Sequence, residues 1–231
     1  ANRQPTPDTV TATLKLGGKK AGSVTEKVVV RSINDCLFSF PDEEDQPVDC
    51  SYMFAAYVNE NHPVVQEILT EALKIDEPDG GKLIDAITGY QVDAAGVKKQ
   101  VEAVYRAIQA RGVKYSNITQ ASVASDSLGA QHVRLIGESA RQASANCVDG
   151  SVLFCSVLRK MELDPYLVTV PGHMFMGVYL NEDHREQLEI ETTMVGASPF
   201  KDAVKVGSGT YAKAEDEFEG ENPNFQIIEI E

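Results

Sequence analysis

Residues 145 to 193 constrain the fold more than any other part of the chain, because the hydrophobic period changes inside them. Ala145-Asn-Cys-Val-Asp-Gly-Ser-Val-Leu-Phe-Cys-Ser-Val-Leu158 is almost continuously apolar and long enough for a helix buried on every side. Pro165-Tyr-Leu-Val-Thr-Val170, His173-Met-Phe-Met-Gly-Val-Tyr-Leu180 and Gln187-Leu-Glu-Ile-Glu-Thr-Thr193 then read as strands. Pro171-Gly172 and Asn181-Glu-Asp-His184 supply the turns between them. A helix followed by an antiparallel meander is thereby predicted, and with it an α+β fold.

The flanking sequence divides into a β-rich start and a helical middle. Val10-Thr-Ala-Thr-Leu-Lys-Leu16 alternates, Gly17-Gly-Lys-Lys20 is a turn, and Glu26-Lys-Val-Val-Val-Arg-Ser-Ile33 resumes the strand pattern, giving a small β unit from Thr9 to about Phe40. Pro41 to Pro47 is an acidic loop, and Tyr52 to Val58 is expected to add a strand. Pro63 opens a helix with Asn61 near its cap and Val64, Val65, Ile68, Leu69, Ala72 and Leu73 on one stripe. A loop from Asp76 to Gly81 ends it. A second helix carries Val97, Val101, Val104, Tyr105 and Ile108, with Gly112 as its stop. Residues 116 to 129 read as irregular, 133 to 143 as a helical turn or two, and Phe225-Gln-Ile-Ile-Glu-Ile-Glu231 as a last strand past which the natural chain is expected to continue. The division implied is an N-terminal β unit over 1–58 and an α+β domain over 59–231.

Charge narrows the partners. The 231 residues carry a formal −14 without a concentrated basic patch, which argues against nucleic acid and anionic membranes and for neutral or basic partners. No apolar run reaches the roughly 18 residues that a membrane crossing needs. The four cysteines form no Cys-x-x-Cys pair. Cys36 and Cys50 bracket the acidic loop and are either a disulfide, if the protein is exported, or two unrelated thiols. That pair and the polar, proline-containing start point to the cell envelope, periplasmic or secreted, with the cytoplasm as the other compartment.

Cys147 stands where the apolar helix begins, and unpaired amides together with the positive end of the helix dipole favour a thiolate there. Such a sulfur is either a nucleophile or a small buried hydrophobe. As a nucleophile it needs a base, and the base needs an orienting group. His173 heads one strand and Glu191 ends the next, so a meander packed on the helix brings both within reach. His62, His132 and His184 lie in polar or turn sequence and have surface explanations. Asn146 reads as the helix cap, Asp149 as a first-turn carboxylate suited to the dipole, and Cys155 as a core thiol.

Cysteine at a helix start, Leu158-Arg-Lys-Met-Glu-Leu-Asp-Pro-Tyr-Leu-Val168 after that helix, His173 at a strand start and Glu191-Thr-Thr193 at the end of the next strand resemble the transglutaminase-like superfamily, relatives of the papain-like cysteine proteases. The resemblance covers roughly residues 97 to 200. Asn146-Cys-Val-Asp-Gly-Ser-Val-Leu153 and Val170-Pro-Gly-His-Met-Phe-Met-Gly-Val178 are similar to a bacterial branch of it. The family usually has Asp where Glu191 stands, and often Trp after the histidine, where this chain has Met174 and Phe175.

The resemblance implies a thiol acyl-transfer enzyme acting on a protein or peptide-like substrate without metal or organic cofactor. Cys147 would be the nucleophile, His173 the base and later the acid, and Glu191 the orienting carboxylate. The Cys147 amide and the Gln131 side chain would donate to the oxyanion. Hydrolysis is the expected outcome, since water needs no second substrate site. Two other readings stay open: a non-catalytic binding module on the same scaffold, and a zinc site built from Cys147 and His173 with Asp149 or Glu191.

Overall fold

The computed structural model describes residues 2–116, 128–220 and 222–230. The fold mixes helices with mainly antiparallel sheets. β1 (Thr6–Leu16) and β2 (Lys19–Val30) form a long antiparallel hairpin whose side chains stay almost wholly exposed. β3 (Asp35–Pro41) and β4 (Pro47–Asp49) follow. Where a strand was expected from Tyr52 to Val58, Ser51–Tyr57 is instead a 3-10 helix. Its buried positions are Ser51 and Phe54, three apart, which is the period of that helix and not of a strand.

α1 (Pro63–Ala72) buries the expected stripe, but its cap is His62 and not Asn61: Nδ1 of His62 accepts the Val64 N–H at 3.2 Å. α2 (Ala94–Ala110) starts from Asp93, which accepts the Gly96 N–H at 2.8 Å, and ends before Gly112 as expected. β5 (Lys114–Tyr115) precedes the segment expected to be irregular, most of which lies outside the described residues. β6 (Gly129–His132) pairs with β3, so the sheet order there is β4-β3-β6. α3 (Ile136–Gln142) and β7 (Ser144–Ala145) lead into α4 (Cys147–Lys160).

α4 is the centre of the molecule. Val148 to Leu158 are all buried, as a run apolar on every side requires. The expected meander follows as β8 (Pro165–Val170), β9 (His173–Tyr179) and β10 (Gln187–Ile190), and the last strand, β11 (Gln226–Glu229), pairs with β8 to give the order β10-β9-β8-β11. Leu167, Met174, Met176 and Val178 join the main core with α4, while Tyr166, Val168 and Phe175 form a second cluster with Tyr211 and Phe218. The sheet is therefore covered on both faces, which is why β8 and β9 read as unbroken apolar runs.

The second cover is α5 (Phe200–Glu219), a helix without a clear sequence signal. Gly207 in its middle lets it lie against the backbone of β10: a Cβ there would meet the Glu189 carbonyl carbon and oxygen at 2.7 Å. Cys36, in β3, and Phe54 belong to the same core as α4. Cys36 and Cys50 are both free thiols, so the bridge that would have favoured export is not formed. No helix among the described residues is long and apolar enough to cross a membrane.

Candidate active site

Asn146 and Asp149 cap each other at the start of α4: Asn146 Oδ1 accepts the Asp149 N–H at 2.8 Å, and the Asp149 carboxylate accepts the Asn146 N–H at 3.1 Å. Each satisfies an amide that the helix leaves unpaired. Asp149 is fully buried and also accepts the backbone N–H of Arg134 at 2.7 Å and its guanidinium at 2.6 Å. A buried carboxylate held by a cation and two amides pins the first turn of α4 to the chain entering α3. Cys147 is the first residue of that turn and is only half-buried.

The other side of the same turn rests on the residues after β10. Gly150 leaves room for Thr192, whose hydroxyl oxygen would sit 3.1 Å from a Cβ at that position. Ser151 Oγ lies 3.2 Å from the Thr192 hydroxyl and donates to the Cys147 carbonyl at 2.8 Å. The cysteine and the carboxylate after β10 are thus held to one another through Thr192.

His173 begins β9, and its Nε2 lies 2.7 Å from Glu191 Oε2. The β9–β10 pairing ends at Ile190↔Met176, so Glu191, the next residue and the cap of the following 3-10 turn, leaves the strand at the end where His173 begins β9. Glu191 Oε1 accepts the Thr193 N–H at 3.1 Å and its hydroxyl at 2.5 Å. Burial raises the Glu191 pKa, but hydrogen bonds from His173 and Thr193 outweigh it and hold the carboxyl below its ordinary range.

With Nε2 turned to Glu191, Nδ1 is the ring nitrogen left for the sulfur. Cys147 is the largest of the influences that raise the His173 pKa, to about 10, with Glu191 next and burial opposing both. The ring therefore favours its protonated form at neutral pH. Burial alone pushes Cys36 up to about 12 and raises Cys155 as well, as befits thiols that do no chemistry.

Cys147 and His173 open into a cleft of about 490 Å³ that Gln131 also lines. The Gln131 side chain donates to the His132 carbonyl at 3.0 Å, which commits one of its two amide hydrogens. The other histidines have structural duties: His62 caps α1, His132 lies 3.8 Å from Asp35, and His184 pairs with Asp164 at 3.0 Å. Among the described residues no group of three or more His, Cys, Asp or Glu is placed to hold a metal ion, and Asp149 is committed to Arg134. Arg134 and Thr192 had not been singled out in the sequence. Thr192 and Thr193 belong to a motif quoted there, whereas Arg134 carries no local signal. Comparison with protein-family models, with curated proteins and with solved structures finds no match.

Proposed function

We propose that the chain is a transglutaminase-like thiol acyl-transfer enzyme that hydrolyses a peptide or carboxamide bond. The observation that carries this reading is the His173 ring, bonded to Glu191 on one nitrogen and raised in pKa chiefly by Cys147 on its other side. The order of parts supports the family: cysteine at the start of α4, histidine at the start of β9, acid just after β10.

At rest the ring holds the proton that Cys147 gives up, and Glu191 keeps the charged ring oriented. The sulfur attacks the carbonyl carbon, an S–C bond forms, and the carbonyl π pair moves to oxygen, where the Cys147 amide and the uncommitted Gln131 hydrogen stabilise it. Collapse breaks the C–N bond as His173 passes its proton to the departing amine. His173 then takes a proton from water, the hydroxide adds to the thioester carbon, and the C–S bond breaks to give the acid and return the thiolate.

An activated ester such as p-nitrophenyl acetate tests this without knowledge of the substrate. Cys147 should acquire an acetyl group with release of one p-nitrophenolate, and deacylation should follow. His173→Ala should slow both steps, Gln131→Ala should slow acylation by about a hundredfold to a thousandfold, and Cys147→Ala should abolish the adduct. Absence of any acetyl group on the Cys147 peptide would overturn the reading.

A further inference from the structure

The cleft holds information about what it accepts. One set of lining residues comes from β3, β4 and the 3-10 helix, and another from the β8–β9 turn and residues 223–224. A bulge changes the β3–β6 register between Leu37 and Ser39, so that Phe38 and Ser39, consecutive in sequence, both line the cleft. A regular strand would turn one of them away. Phe38 stacks on Phe54 with ring centroids 5.8 Å apart, and both rings line the cleft with Val170 and Met174 as further apolar surface.

Asp49 is the one carboxylate among the described lining residues, and it is exposed. It is also fixed in place: Ser51 donates its hydroxyl to Oδ1 at 2.7 Å and its N–H to Oδ2 at 3.2 Å. A carboxylate offers about four lone-pair sites, so an acceptor face remains for a cation. Among the described lining residues no lysine or arginine neutralises it.

We infer that the cleft takes a polypeptide segment in which a bulky apolar side chain accompanies a lysine or arginine, the first lying on the Phe38 and Phe54 rings and the second pairing with Asp49. The inference rests on the thiol acyl-transfer reading and names its substrate class. An acidic segment is disfavoured at the same place by like charge.

Chloroacetyl dipeptide amides test both parts, because the Cys147 sulfur displaces chloride and the alkylated peptide is counted by mass spectrometry. At about 50 mM salt, chloroacetyl-Phe-Lys-amide should label Cys147 at least about threefold faster than the Phe-Glu compound, and the preference should shrink at about 500 mM. Chloroacetyl-Gly-Lys-amide should lag behind the Phe-Lys compound. Asp49→Asn should remove the charge preference. Glu43→Gln, which deletes a charge outside the cleft, should keep the preference and so separates Asp49 from the overall negative field.

Equal rates for the Lys and Glu compounds, or a preference that survives Asp49→Asn, overturn this inference and leave the proposed chemistry standing. Slow iodoacetamide labelling that ignores His173→Ala overturns the chemistry, and the inference falls with it.

Discussion

Two histidine–carboxylate pairs sit at opposite ends of the β8–β9 hairpin: His173 with Glu191 at 2.7 Å, and His184 with Asp164 at 3.0 Å. Distance alone would make them equivalent. Their surroundings differ in three respects. The Glu191 side chain is 8% exposed and Asp164 35%, so screening by water weakens the second pair more than the first. Asp164 also accepts from Arg159 at 3.3 Å and its backbone N–H bonds Tyr90, whereas the side-chain oxygens of Glu191 serve His173 and Thr193. His184 stacks flat on Tyr179 with centroids 3.8 Å apart, while His173 faces a thiol at a helix N-terminus. One pair clamps a turn, and the other has the surroundings that the proposed proton transfer requires. The neighbours assign the work, not the pair.

The largest effect should come from the support beneath the first site. Asp149→Ala removes the buried carboxylate that the Arg134 guanidinium and two backbone amides share, and with it half of the α4 capping box, so stability should fall by about 3–5 kcal/mol, read from the urea midpoint. A loss under about 1 kcal/mol would mean that the site end of the sheet is no more dependent on burial than the other end.

Removing the orienting charge should be next. Glu191→Gln is expected to slow iodoacetamide labelling of Cys147 at pH 6 about tenfold, while Asp164→Asn leaves it within about twofold. Similar slowing in both variants would erase the contrast between the two pairs.

The titration of the first pair has a definite sign. His173 is raised from 6.5 to about 10, so its contribution to stability is complete below about pH 6.5 and is lost as pH rises through about 10. Glu191 is lowered from 4.5, so its contribution is complete above that value and is lost as pH falls through the lower folded one. Relative to His173→Gln, the unchanged protein should therefore hold its greatest advantage between about pH 4.5 and 6.5, on the order of 1–2 kcal/mol after screening of a ring that is partly exposed. Denaturant titrations at pH 5.5, 7.5 and 9.5 should show that advantage shrinking; a flat profile contradicts the coupling.

The smallest change belongs to the second pair. His184→Ala removes an exposed contact with Asp164 and a ring stack, costing about 0.5–1 kcal/mol, with Cys147 labelling unaffected.

Much of this was legible in the sequence, and the reasons are physical. α4 showed itself because a helix buried all round must be apolar all round, and β8 and β9 because both of their faces are covered. The β1–β2 hairpin was visible from its alternation and its Gly17-Gly18 turn, although neither strand buries a face. Tyr52 to Val58 misled because its aromatic residues favour strands, yet Ser51 and Phe54 are buried with a period of three. α5 was obscured because its stripe, Phe200, Ala203, Gly207 and Ala214, is built largely of small residues, and Gly207, Ser208 and Gly209 are poor helix formers in its middle.

At the site, Cys147 and His173 were conspicuous because polar groups at the ends of apolar elements need a reason, and Glu191 because it ends the neighbouring strand. Arg134 was not, because its contact with Asp149 arises from how the chain enters α3 and not from any local pattern. Asp49 became meaningful only when the cleft gathered residues from five separate parts of the chain.

The central claim is that His173 activates Cys147. The rate of Cys147 alkylation by iodoacetamide, followed by mass spectrometry of the labelled peptide from pH 5 to 9 in the unchanged protein and in His173→Ala, tests it most directly. The account expects fast labelling that persists below pH 7 and falls about a hundredfold at pH 6 when the ring is removed. Slow labelling below pH 7 that is indifferent to His173 would contradict it.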